Sequence, residues 1–233
     1  MLNRRNMLKG TALGLGAAAL GMNSLNAAEN GTAQKGTTLV KRYENDFYYD
    51  KDGNFLVKKA KQAFFEMFDA YHYQYPESFQ DDSFFWVIDF GLGDFANCGM
   101  GGVIWLNRKN FRYFSHDIFL LPGQQIAEHS HVVTDEAPAK METWHVRYGS
   151  AYNWSEGEPT IPAISKPAAS QIDSIHCNHC ELIKVGDVRD LNELGKWHFL
   201  QGGPEGVIIT ESATYHDGNG LRFSNPKIGI KVG

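Results

Sequence analysis

Two of the nine histidines, His129 and His131, stand two apart behind Gly123-Gln-Gln-Ile-Ala-Glu128. In a strand, residues i and i+2 point to one face, so both imidazoles would enter the same interior. Glu142, on the following strand, can bring a carboxylate to the same point. Three such ligands want a fourth, and His198 in Gly195-Lys-Trp-His-Phe199 sits on a later strand after a glycine turn. Three neutral imidazoles and one carboxylate would leave a divalent ion with a residual charge of about +1 and, if six-coordinate, open positions for substrate oxygens. Nitrogen and oxygen donors without thiolate suit manganese, iron, cobalt, nickel or zinc and do not choose among them. Lys140 is two residues before Glu142, so a regular strand would bring its ammonium into the same pocket. A second cluster, His176-Cys-Asn-His-Cys180, carries a Cys-x-x-Cys pair. No second pair exists and Cys98 is alone, so a local disulfide or two free thiols is the expected state. A second metal site is the competing reading, cramped in so short a stretch.

The elements that must position these groups are short. Residues 83–90, 102–107, 112–121, 126–133, 141–148 and 207–212 are β-branched or aromatic runs separated by Gly, Pro, Asn and Asp. Many short strands with turn punctuation argue for an all-β sandwich or barrel. Residues 155–172 carry Pro159, Pro162 and Pro167 and read as a long outer loop. Ahead of the strands, Ala60, Phe64, Met67, Phe68 and Tyr71 fall at helical spacing, which predicts an amphipathic helix within residues 55–72. The expected organisation is an address over 1–28, an arm with one helix over 29–82, and a barrel domain over 83–233.

The address is an export signal. Asn3-Arg4-Arg5-Asn6-Met7-Leu8-Lys9 resembles the twin-arginine signal, an apolar Gly/Ala-rich stretch follows, and Ala27-Ala28 offer a cleavage site. The expected location is the periplasm, or otherwise outside the cytoplasm by the twin-arginine route, with the export machinery as a partner. Removing residues 1–28 takes away three bases and no acid, so the formal charge of −5 becomes −8. Such an acidic chain is a poor partner for nucleic acid, where phosphate contacts supply most of the affinity. Its longest apolar run is shorter than the ~20 residues that span a bilayer. Three cysteines exclude a disulfide-rich scaffold.

Gly123 and His-x-His five residues on, then Glu142 with Gly149 after six more, resemble the first motif of the cupin superfamily. Ten residues separate His131 from Glu142, where the common pattern has three or four. The second cupin motif is partly kept: Gly186 and His198 are present, the spacing is one longer, and Asn192 and Gly202 replace the usual Pro and Asn. With Phe90-Gly-Leu-Gly-Asp-Phe95, Lys140-Met-Glu-Thr143, Trp197-His-Phe-Leu-Gln-Gly202, Glu211-Ser-Ala-Thr214 and Arg222-Phe-Ser-Asn-Pro226, the chain resembles the cupin-type D-lyxose ketol-isomerase family from about residue 50 onward.

The resemblance implies an all-β cupin fold, a jelly-roll double-stranded β-helix. It implies metal ligation by His129, His131, Glu142 and His198, and a sugar-handling role for Lys140. It also implies an aldose–ketose isomerase of a free sugar, of the D-lyxose/D-xylulose or D-mannose/D-fructose type, working by proton transfer through a cis-enediolate. Manganese is the expected ion, with cobalt, zinc and iron(II) as alternatives. Such chemistry needs a Lewis acid to polarise the carbonyl and a base to move one proton between C1 and C2. Glu211, after the apolar run 207–210, is the candidate base. Arg222 and Asp217 are candidates for holding sugar hydroxyls. Trp144, Trp197 and Phe199 would form a sugar-facing wall or core. Cupins often pair as dimers, and by analogy the N-terminal extension could serve a homodimer. The competing functions are a cupin Fe(II) oxygenase and a non-catalytic sugar- or metal-binding cupin.

Overall fold

A computed structural model describes residues 40–229; residues 1–28, expected from the sequence to be an export signal, lie outside the described residues. Two helices come first, α1 (Asn45–Tyr48) and α2 (Val57–Ala70). In α2 the expected stripe is present: Ala60, Phe64, Met67 and Phe68 are buried on one face. The helix stops because His72 adopts a left-handed φ of 52°, which lets the Tyr73 N–H reach back to the Phe68 carbonyl at 2.8 Å. That closure satisfies a carbonyl the last turn would otherwise orphan. Among the described residues no helix is long and apolar enough to cross a membrane.

Nine strands follow: β1 (Trp86–Ile88), β2 (Met100–Arg108), β3 (Tyr113–Leu120), β4 (His129–His131), β5 (Glu142–Ser155), β6 (His179–Lys184), β7 (Val188–Asp190), β8 (His198–Ala213) and β9 (Leu221–Phe223). Neighbours run in the order β1-β2-β3-β8-β4-β9, and β5 pairs with β6, β7 and β8. All these ladders are antiparallel. The hub is β8. Its residues 207–213 lie between β3 and β5, while its first residues pair with the far end of β5 and, through His198, with His129 of β4. The sequence pattern had these two stretches as separate strands; they are one. It also stops β5 at Tyr148, whereas the strand passes two bulges and continues to Ser155.

Strand alternation sorts the side chains into two layers. On β3, Ile118 and Leu120 join an inner cluster with Met100, Trp144, Val146 and Ile209. Phe119, between them, joins an outer cluster with Phe64, Phe68, Phe79 and Phe85. Its ring meets Phe68 edge-on, with centroids 4.7 Å apart. Each such aromatic contributes about 1.5–3 kcal/mol by leaving water. The outer layer therefore holds α2 against one face of the sheet. The inner face is left to close on a cavity of about 520 Å³, lined by residues of β1, β2, β3, β4, β5, β8 and β9.

Candidate metal centre

The cavity holds His129, His131, Glu142 and His198 together, each offering one ligand atom, all within 4.8 Å of one another. The positions follow from pairing. His129 and His131 flank Ser130 on β4, His198 stands directly across from His129 at the start of β8, and Glu142 opens β5. The His129 and His198 rings lie 4.4 Å apart. Nδ1 of His129 donates to the Ala127 carbonyl and Nδ1 of His198 to the Lys196 carbonyl, each at 2.9 Å. A carbonyl only accepts, so these bonds place a proton on each Nδ1, and in the neutral imidazole the lone pair is then on Nε2. Glu142 Oε2 lies 2.7 Å from His198 Nε2, and Oε1 lies 3.2 Å from His131 Nε2.

These atoms fit a cation. His131 Nε2, His198 Nε2 and Glu142 Oε2 are fully buried yet have no hydrogen-bond partner of acceptable geometry. Buried polar atoms of native proteins are almost always satisfied, and three orphans converging on one point ask for an ion. Burial, with His198 and His131 alongside, holds His129 well below its ordinary pKa, so it stays a neutral donor. For Glu142, burial opposes ionisation, but Lys140, His131 and His198 outweigh it and hold the carboxyl well below its usual range.

Lys140 and Glu211 lie beside the ligands. The Lys140 ammonium donates to Glu142 Oε1 at 2.7 Å and to Glu211 Oε1 at 2.5 Å. Burial works against its charge, but the two carboxylates prevail and raise its pKa. Glu211 is also buried; Lys140 overcomes that cost and its pKa falls. A charged, nearly dry ion pair therefore faces the cavity next to the candidate ligands.

Two proposed sugar contacts are corrected. Arg222 sits between Leu221 and Phe223, which line the cavity, so strand alternation turns it outward. It is exposed and donates to the carbonyls of Asn219 and Leu221. Asp217 caps the turn Gly218–Gly220 by accepting from the Asn219 N–H, and accepts from the Thr134 hydroxyl at 2.7 Å. Neither lines the cavity. Trp144 and Phe199 do, whereas Trp197 stacks on His176 with centroids 4.8 Å apart. Cys177 and Cys180 are buried free thiols, and burial pushes the Cys180 thiol up to about 12. Such thiols are unreactive, and among the described residues a single group of possible ligands forms.

Three residues escaped the sequence reading. His116 on β3 lies behind Glu211, its Nδ1 3.7 Å from Oε2, with its ring against Trp86. Period-two alternation from Phe114 to Ile118 would have found it. His216, in the loop after β8, lines the cavity 5.8 Å from the His131 ring, and burial lowers its pKa to about 4. Nothing in its neighbourhood signals this. Glu128, fully buried, accepts from the backbone N–H groups of His176 and Cys177 and so ties that loop to the start of β4.

No protein-family model matches the chain. Among curated proteins it is similar to the D-lyxose/D-mannose isomerase of Thermosediminibacter oceani, 32% identical over 142 residues, 61% of this chain and 77% of that protein. It is also similar to the D-lyxose ketol-isomerase of Cohnella laeviribosi, 34% identical over 145 residues, 61% and 76% of the two chains. Among solved structures it resembles the L-ribose isomerase of Acinetobacter sp. DL28 in complex with L-ribose. The TM-score is 0.57 at 13% identity, covering 79% of this chain and 96% of that one. The L-ribose isomerase of Cellulomonas parahominis without ligand gives 0.57 at 14% identity, covering 80% and 96%. The structural likeness shows the fold, an all-β cupin architecture.

Proposed function

The chain belongs to the D-lyxose ketol-isomerase family, and from that premise we propose that it interconverts free sugars of the D-lyxose/D-xylulose or D-mannose/D-fructose type by proton transfer. It is a sugar isomerase. His129, His131, Glu142 and His198 would hold one divalent ion, which we take as manganese from the family resemblance, with cobalt, zinc and iron(II) as alternatives, since the nitrogen and oxygen donor set alone does not choose among them. When bound, such an ion supplies Lewis acidity that makes the carbon beside a carbonyl more acidic. The other steps fall to the chain's own side chains. Glu211, kept ionised by Lys140, takes the proton from C2 of the aldose and returns it to C1, giving the ketose. Lys140 delivers a proton to O1 as the carbonyl is lost there and recovers one from O2 as the carbonyl forms.

The observation that carries this reading is the buried Lys140–Glu211 pair beside the four ligand atoms. Ligation alone would suit an oxygenase or a binding protein equally well; a paired acid and base suits proton transfer. The Arg4-Arg5 motif supports export in the folded state through the twin-arginine machinery. The test is incubation of D-lyxose, D-mannose and their ketoses in deuterated water with manganese, cobalt or zinc. Interconversion with deuterium at the α carbon is expected. Interconversion without label would remove Glu211 from its role, and no turnover across a pentose and hexose panel would refute the isomerase reading.

A further inference from the structure

Among the described residues, the His176-Cys-Asn-His-Cys180 stretch forms neither a ligand group nor a disulfide. Its first two residues instead reach both chains that carry the facing histidines. Those two ligands are built alike. His129 and His198 each donate Nδ1–H to the carbonyl two residues earlier, Ala127 in one case and Lys196 in the other. The residue between, Glu128 or Trp197, does not line the cavity. Each of them meets the 176–177 dipeptide.

His176 donates Nδ1–H to Glu128 Oε2 at 2.9 Å and lays its ring on Trp197, 8° from parallel with centroids 4.8 Å apart. Cys177 donates its backbone N–H to Glu128 Oε1 at 2.8 Å and its thiol to the Trp197 carbonyl at 3.2 Å. Both residues of the dipeptide therefore hold both chains. Glu128 is fully buried, and its carboxylate also accepts from the His176 backbone N–H at 2.8 Å. Direct pairing does less to fix the spacing. Among the described residues, β4 pairs with β8 at one position, His129 with His198. Donors that share an ion must keep a set separation, and groups that do not touch the ion commonly enforce it.

We propose that His176 and Cys177 are positioning residues for the metal centre, a clip behind the ligands that fixes the separation of the His129 and His198 donors. The proposal rests on the four-residue centre and not on which sugar reacts there. The test titrates cobalt(II) into protein stripped of metal by a chelator and reads both affinity and the visible ligand-field spectrum. His176→Ala removes the Nδ1 donor and the stack from a side chain that is half exposed, so no core cavity opens. Its cobalt Kd should rise about tenfold, the lower end of what groups that orient metal ligands are worth. Its spectrum at saturating cobalt should differ from wild type, a change that a loss of stability alone would not produce. His176→Asn keeps a donor near the Nδ1 position and His176→Phe keeps the ring on Trp197, so each should recover part of the lost affinity. Wild-type affinity in His176→Ala overturns the proposal, and so does weaker binding with an unchanged spectrum. No recovery in either the Asn or the Phe variant overturns it too, because the loss would then owe nothing to either contact. Absence of cobalt binding by wild type removes the centre itself, and the clip with it.

Discussion

At the scale of single residues, the candidate metal ligands were legible and the residues around them were not. His129, His131, Glu142 and His198 could be read because ligand chemistry restricts residue type and strand period restricts spacing. Side-chain direction elsewhere depends on register, which sequence encodes weakly. Arg222 looked like a sugar contact, yet the pleat that points Leu221 and Phe223 inward turns it out. The division of labour among the inward-facing residues is testable. Glu211→Gln removes the base but keeps the shape and a hydrogen-bonding oxygen near Lys140. It should lower kcat by ~10²–10⁴, the range of general acid–base catalysis, while metal analysis still finds the wild-type content. His198→Ala should do the opposite to the metal, with content falling well below wild type. Equal metal in H198A and wild type would dismantle the proposed centre.

At the scale of elements, α2 was legible because its apolar stripe has one period and one partner surface. The long strands were not. Gly202-Gly203-Pro204-Glu205-Gly206 reads as a turn between two strands, yet β8 runs through it unbroken. What permits this is a bulged crossing of β5 and β8 near Gly149, where the register shifts and both strands bend. Gly149 has φ +70°, and a Cβ there would fall 2.1 Å from the Gly206 carbonyl oxygen. Punctuation residues can therefore mark a corner inside a strand as well as its end. Short polar β6 and β7 were missed because Lys184 and Asp190 are exposed and Glu181 and Arg189 pair with each other half-buried, which breaks the apolar pattern. Gly149→Ala would add left-handed strain of about 1–2 kcal/mol to a clash with backbone that has little freedom to retreat. Thermal unfolding should shift down by several degrees or more, at roughly 2–4 °C per kcal/mol for a chain of this size. An unshifted melting temperature would show that the β5–β8 corner tolerates a different path.

At the scale of the whole molecule, the site is a product of the completed fold. Its candidate ligands come from β4, β5 and β8, spread from position 129 to position 198, and they meet only when β8 has paired with both β4 and β5. An unfolded chain cannot bring them together, so ion binding adds to folded-state stability by linkage. An ion at a hundredfold its Kd contributes about 2.7 kcal/mol. Stripping it with a chelator should lower the melting temperature by roughly 5–10 °C, and readdition should restore it; no change in either direction would mean that nothing binds there in the folded state. The same dependence on folding bears on export. A route that threads unfolded chains would deliver this protein without its ion, whereas a route for folded proteins carries the loaded site across. Arg4 and Arg5 precede an apolar stretch of the kind read by the second route. Replacing both with lysine keeps the charge and removes the recognition, since the two side chains present different donor geometries. Cell fractionation of the double variant should find it in the cytoplasm, folded, metal-loaded and active, while wild type is recovered outside. Export of the variant at the wild-type level would overturn the assignment of residues 1–28, and with it the placement of this isomerase beyond the cytoplasm.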